Sequence, residues 1–308
     1  MKDVNYTTIK VDTWETVRKI QLLMCKATNW IFRGQSDSEW ELKTNLERQL
    51  EFYDYSLFSN SKLLYNKEKY LLDKLKNRAQ FYKILLPEVN DWVGWLSLLQ
   101  NYGGPTRLLD FTFSFYIAAF FSMEKANSDS AIWAINLELI DDAIEDIANT
   151  IEEKKFYDGE EYFDTFSFAN YVLSNQVSDN FVTYTTPKIL NERLSIQQGV
   201  FVFPCNINTT FNENLNSTIG IIDKPNSYFI TLTDPFDYSI VNDWPLVKFI
   251  IPRDCHNSAM YDLQDMNITS ETLFPGLDGF ARSLLLSFRD SFDGEFDRTI
   301  KRDWLNIK

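Results

Sequence analysis

Three short segments carry more polar chemistry than a plain core needs. The first is Phe32-Arg33-Gly34-Gln35, where an Arg closes a short apolar run and a Gly follows it. A guanidinium offers planar, bidentate donors, and a Gly lets an anion approach the backbone, so the pair suits a phosphate. A structural Arg paired to a carboxylate beside a turn Gly is the other reading. The second segment runs from Gln100 to Thr112, QNYGGPTRLLDFT. Its polar groups alternate with Leu and Phe next to a Gly-Gly-Pro break. A helix after Thr112 would aim its N-terminal amides back at this loop and attract an anion. Arg107 and Asp110 could instead pair with each other and lock the loop. The third segment is Glu192 to Gly199, ERLSIQQG. The adjacent amides Gln197 and Gln198 could hold a ribose or a base edge, or cap a bulge.

Composition narrows the chemistry open to these groups. Among 308 residues there is one histidine, His256, which excludes multi-His metal sites. Any Ser-His-Asp or Cys-His triad would depend on that position, and its surroundings, RDCHNS, read as an exposed connector. Cys25, Cys205 and Cys255 are far apart, with no C-x-x-C spacing for zinc or a redox dithiol. Thirty basic and 44 acidic residues give a net charge of −14, so the surface as a whole does not favour a polyanion. Arg33, Arg107 and Arg193 would form a positive pocket in a negative protein, suited to a small anionic ligand. The N-terminus, MKDVNYTTIKVDTW, has no apolar leader, and no run reaches membrane-spanning length. A cytoplasmic protein with no membrane partner is expected.

The elements that must position these groups follow from periodicity. Helical spacing is read over 14–27, 66–81, 90–101, 115–126, 140–153, 258–266 and 279–288. Ala118 and Ala119 give one helix a small face that can approach a sheet closely. Strands are expected at Trp30–Phe32, broken by Gly34, at 131–137, and at 200–203, 220–222, 228–232 and 246–251. The pattern predicts one α+β domain over 1–308, with central mixed β-sheets flanked by helices. Residues 1–28 read as an N-terminal helical extension, and 156–180, aromatic and acidic without a clear period, as a possible insertion.

Taken together, the three segments resemble the FRG domain family, named for the triplet found here at Phe32-Arg33-Gly34. The resemblance continues through QNYGGPTRLLDFT, AIWAINL, NERLSIQQGVFVFP, KFIIPRD and TLFPGLDG, from about Ile31 to Leu284. Relatives usually carry His where this chain has Asn101 and Leu where it has Gly104. The resemblance implies a bacterial or phage-related setting, and some members belong to toxin–antitoxin and phage-defence modules.

A remoter resemblance is to ADP-ribosyltransferases of the Arg-Ser-Glu class, which implies their core fold and NAD as substrate. Arg33 matches their aromatic-Arg-Gly strand. Thr106 to Thr112 with the helix at Ala118 to Phe121 is similar to their second element, and Gln197-Gln198 lies near the third. Their final Glu is not evident here; Glu192 is close to it in sequence. On this resemblance Arg33 clamps a phosphate, helped by Gly34, Gln35, Arg107, Arg193 and Gln198. Thr106 and Thr112 hold the nicotinamide ribose or support the strand, and Tyr102 stacks on nicotinamide. Asp110, Glu192 or Gln197 contacts a ribose hydroxyl. The implied partners are an RNA or protein target and an antitoxin protein. A non-catalytic nucleotide- or partner-binding module is the second reading. A nuclease-like toxin lacks the clustered carboxylates that two-metal chemistry needs.

Overall fold

The strand Ser130–Asn136 (β4) is buried along its whole length, because other strands cover both edges and helices cover both faces. Its side chains alternate as the pleat requires. Ile132 and Ala134 enter one core; Trp133 and Ile135 enter the other. The computed structural model containing it describes residues 6–24, 29–53, 61–151, 156–158, 162–189, 191–220, 227–233 and 244–293.

Around β4 the chain builds an eight-stranded sheet. Its order is β7 (Val182–Thr185), β8 (Gly199–Pro204), β3 (Leu109–Thr112), β2 (Trp30–Gln35), β4, β10 (Leu246–Ile251), β1 (Thr7–Val11) and β9 (Ser227–Ile230). β1 runs parallel to β10 and to β9, while the other neighbours are antiparallel. One face packs against α1 (Trp14–Met24), α5 (Phe115–Met123) and α10 (His256–Asp265), through Trp14, Val17, Phe115, Phe120, Ala259 and Leu263. The other packs against α4 (Trp92–Asn101), α6 (Leu137–Ile151), α7 (Thr165–Ser174) and α9 (Phe211–Ile219). The protein is thus α+β, with a mixed sheet flanked by helices. Among the described residues no helix is long and apolar enough to cross a membrane.

Several expectations change. Gly34 does not break its strand, which continues to Gln35. Residues 1–28 are not simply helical: β1 adds a sheet strand, and Ile9, Val11, Val17 and Ile20 are buried in the core. Within 156–180, α7 sends Phe168, Ala169, Val172 and Leu173 into the larger core. Their spacing is helical, and the intervening aromatics hid it. His256 is buried at the start of α10, with Nε2 3.0 Å from Ser130 Oγ, rather than exposed in a loop. Part of the strand expected at 220–222 lies outside the described residues; Gly220 itself ends α9.

A candidate anion-binding cleft

β2 alternates, so Arg33 and Gly34 face opposite sides of the sheet. A Cβ on Gly34 would sit 2.0 Å from Ala118 O and 2.5 Å from Ser122 N. The Gly therefore permits close packing of α5, on its small Ala118-Ala119 face. Arg33, on the other side, opens into a cleft of about 1000 Å³. Nη1 of Arg33 donates to the Asp110 carbonyl at 2.6 Å, and its buried Nε has no partner. Burial pulls the Arg33 pKa below that of a free guanidinium; nearby Asp110 pushes it back up and Arg48 pulls it further down.

Two further arginines line the cleft without an ion pair among the described residues. Arg48 lies on α2 (Asn45–Phe52), a helix started by a Thr44–Glu47 capping box. Its Nη1 donates to the Lys43 carbonyl at 2.7 Å. Arg193 lies on α8 (Glu192–Ile196), with its guanidinium carbon 4.6 Å from the Phe274 ring centre. Burial lowers its pKa too, against the raising influence of Asp110. Among the described residues, Arg33, Arg48 and Arg193 form no salt bridge to a carboxylate. Two other basic wall residues are neutralised: Lys43 meets Glu51 at 2.9 Å, and Arg282 is held by Glu124.

The Asp110 carboxylate is exposed in the same cleft. Gln100 Nε2 donates to it at 2.7 Å, and Gln100 Oε1 in turn accepts from the Thr106 hydroxyl. Thr106 itself is buried behind the cleft and receives Leu108 N at 3.2 Å. It positions Gln100 and does not reach a ligand.

The other expected residues divide. Arg33, Gly34, Gln35, Asp110, Thr112, Arg193 and Gln197 border the cleft, while Thr106, Arg107, Tyr102 and Gln198 do not. Gln35 spends both ends of its amide internally, accepting from Trp133 Nε1 at 2.7 Å and donating to the Glu41 carbonyl at 3.0 Å. The Thr112 hydroxyl donates to the Gln197 carbonyl at 2.7 Å, and Gln197 Nε2 donates to the Leu273 carbonyl at 2.9 Å. Both tie the cleft wall together. Arg107 is not a ligand-binding cation. It is buried and pairs with Glu68 of α3 (Ser61–Ala79) through Nε at 2.9 and 3.1 Å and through Nη2. This is the locked alternative, with Glu68 in place of Asp110 as the partner. Tyr102 is exposed beyond the end of α4, and Gln198 takes a left-handed turn conformation at φ 48° and points to solvent. Glu192 does not border the cleft either.

Sequence reasoning missed Gln100 as a positioning group, and Arg48, Trp40 and Arg282 as cleft residues. The Thr44-x-x-Glu47 capping box was a usable signal for α2. Nothing local places Arg48 opposite Arg33.

The sequence model of one family, the FRG domain, matches residues 28–131. The span takes in the Phe32-Arg33-Gly34 triplet and the Gln100–Thr112 block; Arg193, Gln197 and Arg282 lie beyond it. No curated protein and no solved structure matches the chain. The match thus covers about a third of the chain, including the strands that carry Arg33 and Asp110.

Proposed function

We propose that the cleft binds NAD and transfers its ADP-ribose to a protein or RNA target, as a toxin or phage-defence effector. The observation that carries this reading is the convergence of Arg33, Arg48 and Arg193, all without a carboxylate partner among the described residues, around the Asp110 carboxylate. Unpaired guanidiniums in a partly desolvated cleft are strong receptors for a diphosphate. A diphosphate held there brings the attached ribose to Asp110, a cleft carboxylate that forms no salt bridge among the described residues.

The chemistry then asks little beyond positioning and charge. The bond from ribose C1′ to nicotinamide nitrogen breaks, and its electron pair leaves with neutral nicotinamide. Positive charge grows on the ribose, where Asp110, oriented by Gln100 and Thr106, stabilises it. The target's oxygen or nitrogen bonds to C1′ and gives its proton to Asp110. The wall formed by Thr112, Gln197 and Leu273 ties the strand that carries Asp110 to the end of α8, which carries Arg193. An antitoxin protein that covers the cleft would suit this reading.

The test is purified full-length protein incubated with labelled NAD and cell lysate. Release of nicotinamide together with labelled macromolecule supports transfer. NAD binding without release favours the second reading, a nucleotide-binding module, for which the internal use of the Gln35 and Gln197 amides speaks.

A further inference from the structure

We infer that Trp40 is the stacking platform for the nucleobase of the ligand, a role that sequence reasoning gave, for nicotinamide, to Tyr102. The inference deepens the nucleotide reading of the cleft and rests on it. Six aromatic residues border the cleft, and five are already engaged. Phe32 packs edge-on to Phe115, Phe111 and Phe201 are buried in the core, and Phe121 meets Phe274 edge-on. Phe274 also carries the guanidinium groups of Arg193 and Arg282, at 4.6 and 3.7 Å.

Trp40 differs. It is 53% exposed, and among the described residues its indole makes no hydrogen bond and no ring or cation contact. An open tryptophan face on a mobile loop would mean little, but this loop is pinned at several points. Lys248 Nζ donates to the Trp40 carbonyl at 3.3 Å, and the Lys248 ammonium lies over the Trp133 ring at 4.7 Å. Gln35 Nε2 holds the next carbonyl, that of Glu41, at 3.0 Å, and Gln35 is itself fixed by Trp133 Nε1. Ser38 N donates to the Asp129 carbonyl at 2.8 Å. A large apolar face is thus held out to solvent by partly buried polar bonds, beside a cleft whose arginines form no ion pair among the described residues.

The neighbouring cation fits the same ligand. Arg48 bonds the Lys43 carbonyl, three residues beyond Trp40, which ties α2 to the end of the Trp40 loop. A planar ring for the indole and an anion for the guanidinium are the two parts of a nucleotide. Stacking is tolerant of base identity, because every base has a π face. The site is therefore selective for a base joined to phosphate rather than for a particular base.

The experiment is calorimetric titration of the full-length protein and of Trp40→Ala and Trp40→Phe with ADP and with inorganic pyrophosphate. Trp40→Ala should weaken ADP binding roughly tenfold, the usual scale of one lost stacking contact, and leave pyrophosphate binding unchanged. Trp40→Phe should restore most of the ADP affinity. If ADP binds wild type and Trp40→Ala equally, Trp40 is not the platform and the nucleotide reading survives. If Trp40→Ala weakens ADP and pyrophosphate alike, the residue acts through the loop and not through the base, and the inference is wrong. If neither ADP nor NAD binds wild type, the nucleotide reading falls and this inference with it.

Discussion

Arg33 and Asp110, 77 residues apart in the chain, meet across two neighbouring strands: the Arg33 guanidinium donates to the Asp110 carbonyl at 2.6 Å. The bond uses the backbone of Asp110 and leaves its carboxylate to Gln100 and the cleft. A cation and an anion thus stand side by side without forming a salt bridge. That arrangement suits a ligand that needs one group for its phosphate and the other for its sugar.

Arg33→Ala should remove most of the affinity for ADP and NAD, by roughly tenfold or more, since hydrogen bonds to charged groups contribute about 1.5–3 kcal/mol each. Arg33→Lys should recover little of it, because an ammonium lacks the planar fork. Titration calorimetry reads the affinity, and thermal melting checks that the fold is kept. An Arg33→Ala protein that still binds ADP as wild type does removes the phosphate-clamp role.

Asp110→Asn separates binding from chemistry. The amide is nearly isosteric and removes a negative charge from between Arg33 and Arg193, so NAD affinity should stay level or rise. Nicotinamide release should fall by roughly a hundredfold or more, the usual scale for loss of one preorganised electrostatic group. A single-turnover assay measures both. Release at the wild-type rate would move the catalytic carboxylate elsewhere.

Glu68→Ala leaves the Arg107 guanidinium buried without its partner and should destabilise the protein by roughly 3–5 kcal/mol. The double variant Glu68→Leu with Arg107→Met should be markedly less damaging, because no charge then remains unpaired. Urea unfolding of the set checks this. Ligand affinity in any folded variant should stay at the wild-type level, which sets Arg107 apart from Arg33.

Gly34→Ala should be among the most damaging single-methyl additions in the chain, since its Cβ would collide with the backbone of α5. A destabilisation of about 3 kcal/mol or more is expected, at or above the upper end for an overpacked core. Failure of Gly34→Ala to lower the melting temperature would show that α5 can shift.

Glu47 carries a pH dependence. Burial raises its carboxyl above the ordinary 4.5, although Phe211 N at 2.7 Å and Thr44 N at 2.6 Å pull the other way. The folded state then holds that proton more tightly than the unfolded one. Its contribution to stability is fully present below pH 4.5 and is lost as pH rises through the higher folded value. Glu47→Gln cannot titrate. The stability of wild type minus that of the variant should therefore fall on going from pH 4 to pH 7, as read from denaturant midpoints. A difference that rose with pH would reverse the sign of the assignment.

By itself the sequence determined the helical and strand segments with clean periodicity. Among them are α4, capped by Asp91, and α5, whose small Ala118-Ala119 face predicted close approach to a sheet. It also marked Phe32–Gln35, Gln100–Thr112 and Glu192–Gly199 as the polar blocks, and all three border one cleft. It could not sort the arginines within and around them. Arg33 and Arg107 look alike in sequence, yet one faces the cleft and the other is paired to Glu68, 39 residues away. Nor did it show β1 joining the sheet or Arg48 and Trp40 completing the cleft. Periodicity is written in neighbouring residues. Whether a charge is free or neutralised, and whether an aromatic face is covered or open, depends on which distant residues the sheet brings within a few ångströms, and only the tertiary structure decides that.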